Sequence, residues 1–279
     1  MAIKKLSILL GMLVIGGIIL AYNSVQNKVN TTTYHHAQRA TVFFHGYGSS
    51  SNAERHMAQA AKRAGVTKTI IEADVSENGK VTFHGTIKKD DINPIILVNY
   101  RNNRDGNEAK LTRYSKNVML SLEKRYGITE VNLVGHSMGN MSIMYYIIHE
   151  ADNLRLPQVV KVVDIAGHFN GIKGMNEPAN VQLNKDGTPT KKSATYQSLE
   201  RIRQVKNLDK IQFLNLYGDI DNQSDGRVSN TSSQSLRSLV SEKAKSYREV
   251  KFTGKKAQHS QLHENSQVDR VLIEFLWKK

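Results

Sequence analysis

At 279 residues with 39% apolar side chains, the chain is long enough to bury the core of one large α/β domain. It has no cysteine, which excludes a disulfide scaffold, a thiolate nucleophile and a cysteine-ligated metal. The formal charge of +14 predicts attraction to polyanions, but the basic residues are scattered, with only short clusters such as "TKKS" and "TGKK", so no nucleic-acid-binding stripe is present.

The chain opens with Lys4 and Lys5 followed by an uncharged apolar run from Leu6 to Tyr22. Residues 1–27 therefore read as a signal peptide or membrane anchor, with the lysines holding the N-terminus inside and the rest of the chain outside. The small-residue pattern of a signal-peptidase site is poor around Ala21 and Ser24, and a retained anchor is favoured over cleavage. Residues 28–38 form a polar Thr/Asn-rich linker, and residues 39–279 a single domain.

Within that domain short β-branched and aromatic runs alternate with helical periodicity. The runs "ATVFFHG", "TIIEADV", "PIILVNY", "EVNLVGH", "VVKVVDIAG", "IQFLNLYG" and "REVKFTG" have strand length and character. Helical spacing is found over 52–64, 108–126, 138–150, 196–205, 231–243 and 265–277. Such alternation predicts an α/β fold with a mostly parallel central sheet flanked by helices. "SENGKVTFHG" interrupts the rhythm, and its Asn78-Gly79 turn predicts a hairpin at a sheet edge. Residues 168–192 have no clear period and few large apolar side chains, which predicts a polar cap loop.

The chemistry centres on "VNLVGHSMGN". A strand, G-x-S-x-G and a helix together place Ser137 on a tight strand-to-helix turn with its hydroxyl exposed. A serine hydroxyl needs a base oriented by a carboxylate, and these follow in the order acid, then histidine. Beyond the strand "IQFLNLYG", the loop "DIDNQSDGRVS" offers Asp225, with Asp219 and Asp221 in reserve. As a calcium loop this segment fails, because Ser232 stands where the bidentate glutamate belongs. Beyond "REVKFTG" comes His259, with His263 four residues on as the competitor.

An acyl-transfer site also needs oxyanion donors, and "FFHGYGSS" supplies one: the backbone N–H of Tyr47 is expected to pair with that of Met138. His45 is expected to brace this loop, and His136 to pack beside the turn. Met138, Met141, Met144 and Phe169 are candidates for an acyl pocket. No metal or organic cofactor is required.

The segments "FFHGYGSS", "NLVGHSMGN", "DIAGHFNG", "SDGRVS" and "HSQLHEN" resemble those of alpha/beta-hydrolases from Ala40 to Trp277. More narrowly they are similar to an uncharacterised lipase-like group of membrane-anchored or secreted hydrolases of Gram-positive bacteria. That resemblance implies the alpha/beta-hydrolase fold and a triad of Ser137, Asp225 and His259; it departs at His168, where proline is expected. The activity implied is hydrolysis of a small-molecule or lipid carboxylic ester outside the cytoplasm, beside an anionic membrane or wall surface. Thioesterase or acyltransferase chemistry would use the same residues, and the rival from another class is a cell-surface adaptor without turnover.

Overall fold

The computed structural model describes residues 29, 30 and 32–279. The expected signal or anchor segment over 1–27 lies outside them. Among the described residues no helix is long and apolar enough to cross a membrane.

All the expected strands form: β1 (Ala40–Phe44), β2 (Ile70–Val75), β3 (Val81–His84), β4 (Ile95–Tyr100), β5 (Glu130–His136), β6 (Gln158–Ile165), β7 (Gln212–Asp219) and β8 (Ser246–Thr253). They build one sheet in the order β3-β2-β4-β1-β5-β6-β7-β8, in which β3 alone runs antiparallel. β1 shows why a central parallel strand reads as a continuous apolar run: helices cover both its faces, and all five of its residues are buried. At the opposite extreme β3 lies on the edge, joined to β2 by the expected Asn78-Gly79 turn. There Gly79 adopts φ 85° and the Ser76 N–H donates to the Lys80 carbonyl at 3.0 Å.

The helices are α1 (Arg55–Arg63), α2 (Glu108–Tyr126), α3 (Met138–Glu150), α4 (Ala194–Leu199), α5 (Asn230–Gln234), α6 (Leu236–Val240) and α7 (Ser266–Trp277). α2 begins where the Asn107 side chain accepts from the Lys110 N–H and ends at Gly127 in the left-handed region. The long helical stretch expected over 231–243 is broken into α5 and α6. Ser235 and Ser238 donate their hydroxyls to the carbonyls of Ser232 and Ser235, which competes with the helical ladder. The stretch over 196–205 is likewise helical only to Leu199 and continues as a 3₁₀ turn.

Two apolar layers sandwich the sheet. One gathers Leu111, Tyr114 and Val118 of α2 with Ile143 and Ile147 of α3. The other holds Met57, Ala58 and Ala61 of α1 with Val268, Leu272 and Leu276 of α7. Two glycines allow backbone contacts that fix the carboxyl edge of the sheet. A Cβ on Gly139 would lie 2.0 Å from the carbonyl oxygen of Phe44, so the start of α3 presses directly on the end of β1. A Cβ on Gly218 would lie 1.9 Å from the carbonyl oxygen of Ala257, so β7 carries the segment that leads into His259.

α1 packs beside the 3₁₀ turn His259–Glu264, and at the start of α1 the carboxyl group of Glu54 is buried with no hydrogen-bond partner for either oxygen. Burial, reinforced by the nearby charge of Glu264, pushes its pKa up to about 8.

Two predictions follow from these contacts. Gly218→Ala must displace backbone rather than a side chain, and should lower unfolding free energy by roughly 1–3 kcal/mol in urea denaturation. For Glu54 the folded state holds its proton more tightly than the unfolded chain, so its contribution to stability is full below pH 4.5 and is lost as pH rises toward about 8. Glu54→Gln should therefore match wild type in melting temperature near pH 4.5 and exceed it increasingly between pH 6 and 8.5. A constant difference across that range would contradict the assignment.

Candidate active site

The carboxyl ends of four parallel strands bring the sequence-predicted residues to one edge. Ser137 follows β5 on a turn with φ 52° and ψ −117°, a conformation that side-chain-bearing residues avoid and that costs about 1–3 kcal/mol. The cost is offset locally. The Ser137 N–H donates to the Ile165 carbonyl at 3.0 Å, and the Asn140 amide donates to the carbonyls of Ser137 and Ile165 at 3.0 and 2.9 Å. The glycine at 135 is required as well, because a Cβ there would lie 2.7 Å from the Asn140 backbone nitrogen.

His259 stands between Ser137 and Asp225. Its Nδ1 lies 2.7 Å from Asp225 Oδ2 and its Nε2 3.0 Å from Ser137 Oγ. A carboxylate oxygen accepts, so Nδ1–H donates to Asp225, and the free lone pair on Nε2 receives the serine hydroxyl. The other oxygen of Asp225 accepts from the N–H groups of Arg227 and Val228 at 2.8 and 2.7 Å. The backbone adds a brace: the His259 N–H donates to the Asp225 carbonyl at 2.8 Å.

The other aspartates of the loop do different work. Asp219 accepts from the N–H groups of Asp221 and Gln223 and from the Asn230 amide, which shapes the turn, and Asp221 is exposed at φ 75°. His263 does not belong to the final helix, which starts at Ser266, but to the 3₁₀ turn that begins at His259. Its ring packs edge-on against His136 at 4.8 Å, while the hydrogen-bond partner of the serine hydroxyl is His259.

His136 does more than pack. Its Nε2–H donates to the His259 carbonyl at 3.0 Å, so the residue before the serine fixes the backbone of the residue that faces the serine hydroxyl. Burial first, and then the neighbouring His259 and His263, hold its pKa well below the usual imidazole range. His45 braces the first loop as expected. The Tyr100 N–H donates to its Nε2 at 3.1 Å, which leaves Nδ1–H to donate to the Gly46 carbonyl at 2.8 Å. Met138 occupies the first turn of α3, where an N–H has no acceptor within the helix. Tyr47 and Met138 both border the cavity in front of Ser137.

That cavity has a volume of about 540 Å³. Met138, Met141 and Tyr145 of α3 form one side, and Ile172 and Met175 come from the loop over 168–192. The loop is thus less polar toward the site than its composition predicts. Met144 and Phe169, expected in an acyl pocket, are instead buried in the core, because α3 turns Met144 inward and the Phe169 ring packs against Gly167. His168, standing where proline is expected, also borders the cavity; its buried Nδ1 has no hydrogen-bond partner, and burial pushes its pKa down to about 4.

Sequence reasoning missed the bracing role of His136, the amide of Asn140 beneath the turn, and Gly218. A glycine at the last turn of a buried strand was the available signal for the third; for the others nothing local marks the contact.

Comparison with solved structures agrees with this architecture. A Listeria innocua protein, the product of lin2722, is 25% identical with a TM-score of 0.76, covering 86% of this chain and 94% of its own. A candidate cell surface hydrolase of Lactobacillus plantarum is 18% identical with a TM-score of 0.68, covering 85% and 89%. Est1E of Butyrivibrio proteoclasticus is 14% identical with a TM-score of 0.50, covering 85% and 86%. No curated protein matches. Residues 28–279 match the family described as "Alpha/beta hydrolase of unknown function (DUF915)", and the chain belongs to that family of alpha/beta-hydrolases.

Proposed function

We propose that the protein is a serine hydrolase that cleaves carboxylic esters through an acyl-enzyme. The observation that carries this reading is the continuous chain Ser137 Oγ, His259, Asp225, closed at 3.0 and 2.7 Å at the mouth of an apolar-sided cavity. In this reading Ser137 Oγ attacks the ester carbonyl carbon while its proton passes to His259 Nε2. The same nitrogen then returns the proton to the departing alkoxide, and water repeats the sequence to release the acid.

Asp225 keeps the Nδ1–H tautomer and stabilises the imidazolium formed between the two transfers. The N–H groups of Tyr47 and Met138 would hold the negative oxygen of the tetrahedral intermediate, at the end of a helix whose dipole favours negative charge. The apolar side formed by Met138, Met141 and Tyr145 suits an acyl chain better than a polar acid.

An extracytoplasmic setting agrees with the leader read from residues 1–27, and a structural neighbour is described as a candidate cell surface hydrolase. There the charge of +14 would draw the domain to anionic lipid or wall surfaces in a salt-sensitive way.

The full-length protein should hydrolyse p-nitrophenyl butyrate and take up a fluorophosphonate probe. Ser137→Ala should do neither, and His259→Ala should fall by at least about 10⁴-fold in kcat. Asp225→Asn should lose more than 100 times as much activity as Asp221→Asn. Labelling of Ser137→Ala at the wild-type rate would refute the nucleophile, and equal losses for the two aspartate variants would refute the acid.

A further inference from the structure

The walls of the cavity carry an uneven charge. Among the described residues no aspartate or glutamate borders it, and Arg227 is the only one there with a permanently charged side chain. The other titratable groups are His136, His168, His259 and His263, with Tyr47 and Tyr145. Burial lowers the pKa of His136, His168 and His263, so they stand neutral at pH 7 and contribute no compensating charge. Arg227 itself is exposed and its guanidinium makes no hydrogen bond or ion pair with any described residue. An arginine beside a carboxylate usually pairs with it, but both oxygens of Asp225 are already occupied by His259 and two backbone N–H groups.

The position of Arg227 is fixed even though its side chain is free. Its own N–H is one of the two that hold Asp225, and the Asp225 N–H donates to the Val228 carbonyl at 3.2 Å, so the turn that orients the histidine also sets the arginine. This places Arg227 on the His259 side of the cavity that Met138, Met141 and Tyr145 of α3 also line. In ester cleavage the histidine side is where the proton reaches the departing oxygen, so it faces the alcohol half of the substrate.

We infer that Arg227 is a specificity-determining residue that recognises an anionic group, a phosphate or carboxylate, on the alcohol half of the ester, while the α3 side holds the acyl half. This rests on the serine hydrolase reading for the orientation of the substrate. A guanidinium fork matches the oxygen geometry of either anion, and a cavity without acidic walls does not repel them. The contact is available equally to substrate and transition state, so it acts on KM rather than kcat.

Binding is measured first, because it does not depend on turnover. Full-length Ser137→Ala is titrated calorimetrically with 1-butyrylglycerol 3-phosphate and with its neutral counterpart, glycerol monobutyrate. The phosphate ester should bind about 10-fold or more tightly, and Ser137→Ala combined with Arg227→Ala should lose that preference. Combination with Arg227→Lys should keep part of it, and Arg227→Glu should reverse it. In the enzyme with Ser137 intact the same preference should appear in KM.

A second arm presents the anion on a membrane, comparing binding to phosphatidylglycerol and phosphatidylcholine vesicles. An Arg227-dependent preference in either arm supports the inference and names the source as a soluble or a lipid phosphate. Absence of an Arg227-dependent preference in both arms would overturn it; a phosphatidylglycerol preference that survives Arg227→Ala reflects only the overall charge of +14 and counts as absence in that arm. Preferential binding without hydrolysis would leave Arg227 as an anion site and refute only the ester hydrolase reading.

Discussion

The carbonyl oxygen of Phe44 occupies the space that any side chain on Gly139 would need, and the geometry of the site depends on that contact. It brings the first turn of α3 against the end of β1, so that the N–H of Met138 and the loop through Tyr47 meet at one place. Ser137 is then caught between a strand and a helix that cannot separate, and its positive φ is the result. A strained residue persists only where its surroundings over-determine it. Here the Asn140 amide and the Ile165 carbonyl supply that determination without contacting the hydroxyl itself.

The second element of the arrangement is order along the sheet. Ser137 and His259 are 122 residues apart, yet parallel strands deliver both to the carboxyl edge. Gly218 and His136 then convert shared location into contact, the first by letting the chain around Ala257 lie on β7 and the second by holding the His259 carbonyl. Burial of three neighbouring histidines keeps them uncharged, so the one facing Ser137 is not surrounded by competing cations.

Most of the sheet was legible because each buried strand is a short apolar run bounded by glycine or polar residues, and the edge hairpin was legible because Asn-Gly has few other uses. The elements least well read were those whose local pattern is ambiguous. The serine-rich stretch beyond 230 has helical spacing, but its hydroxyls bond back to carbonyls and split it. Met144 and Phe169 carry the right chemistry for a pocket, yet which side chains of a largely buried helix or of a loop turn toward a cavity is decided by tertiary packing alone. The candidate triad residues were legible in order but not in contact; the choice of His259 over His263 needed the distance between strand end and helix start, which composition only hints at. The bracing contacts of His136 and Asn140 join residues distant in sequence and have no local signature.

One segment gathers several of these roles. From the end of β7 into α5 the chain contributes Asp225 and Arg227, and the hydroxyl of Ser232 in α5 donates to the Gly171 carbonyl while accepting from the Asn170 N–H. Ser229 and Thr231 reach Glu177 of the same cap loop. The acid that would orient the histidine, the free cation beside the cavity and the anchor of the loop bearing Ile172 and Met175 therefore lie on one continuous stretch of chain. The sheet and the turn at Ser137 bind none of this loop's outer residues. Under the proposed function, substrate preference can accordingly change through residues 168–192 and the side chain of Arg227 while the distances among Ser137, His259 and Asp225 stay fixed, which would separate the part of the structure that sets the chemistry from the part that selects the ester.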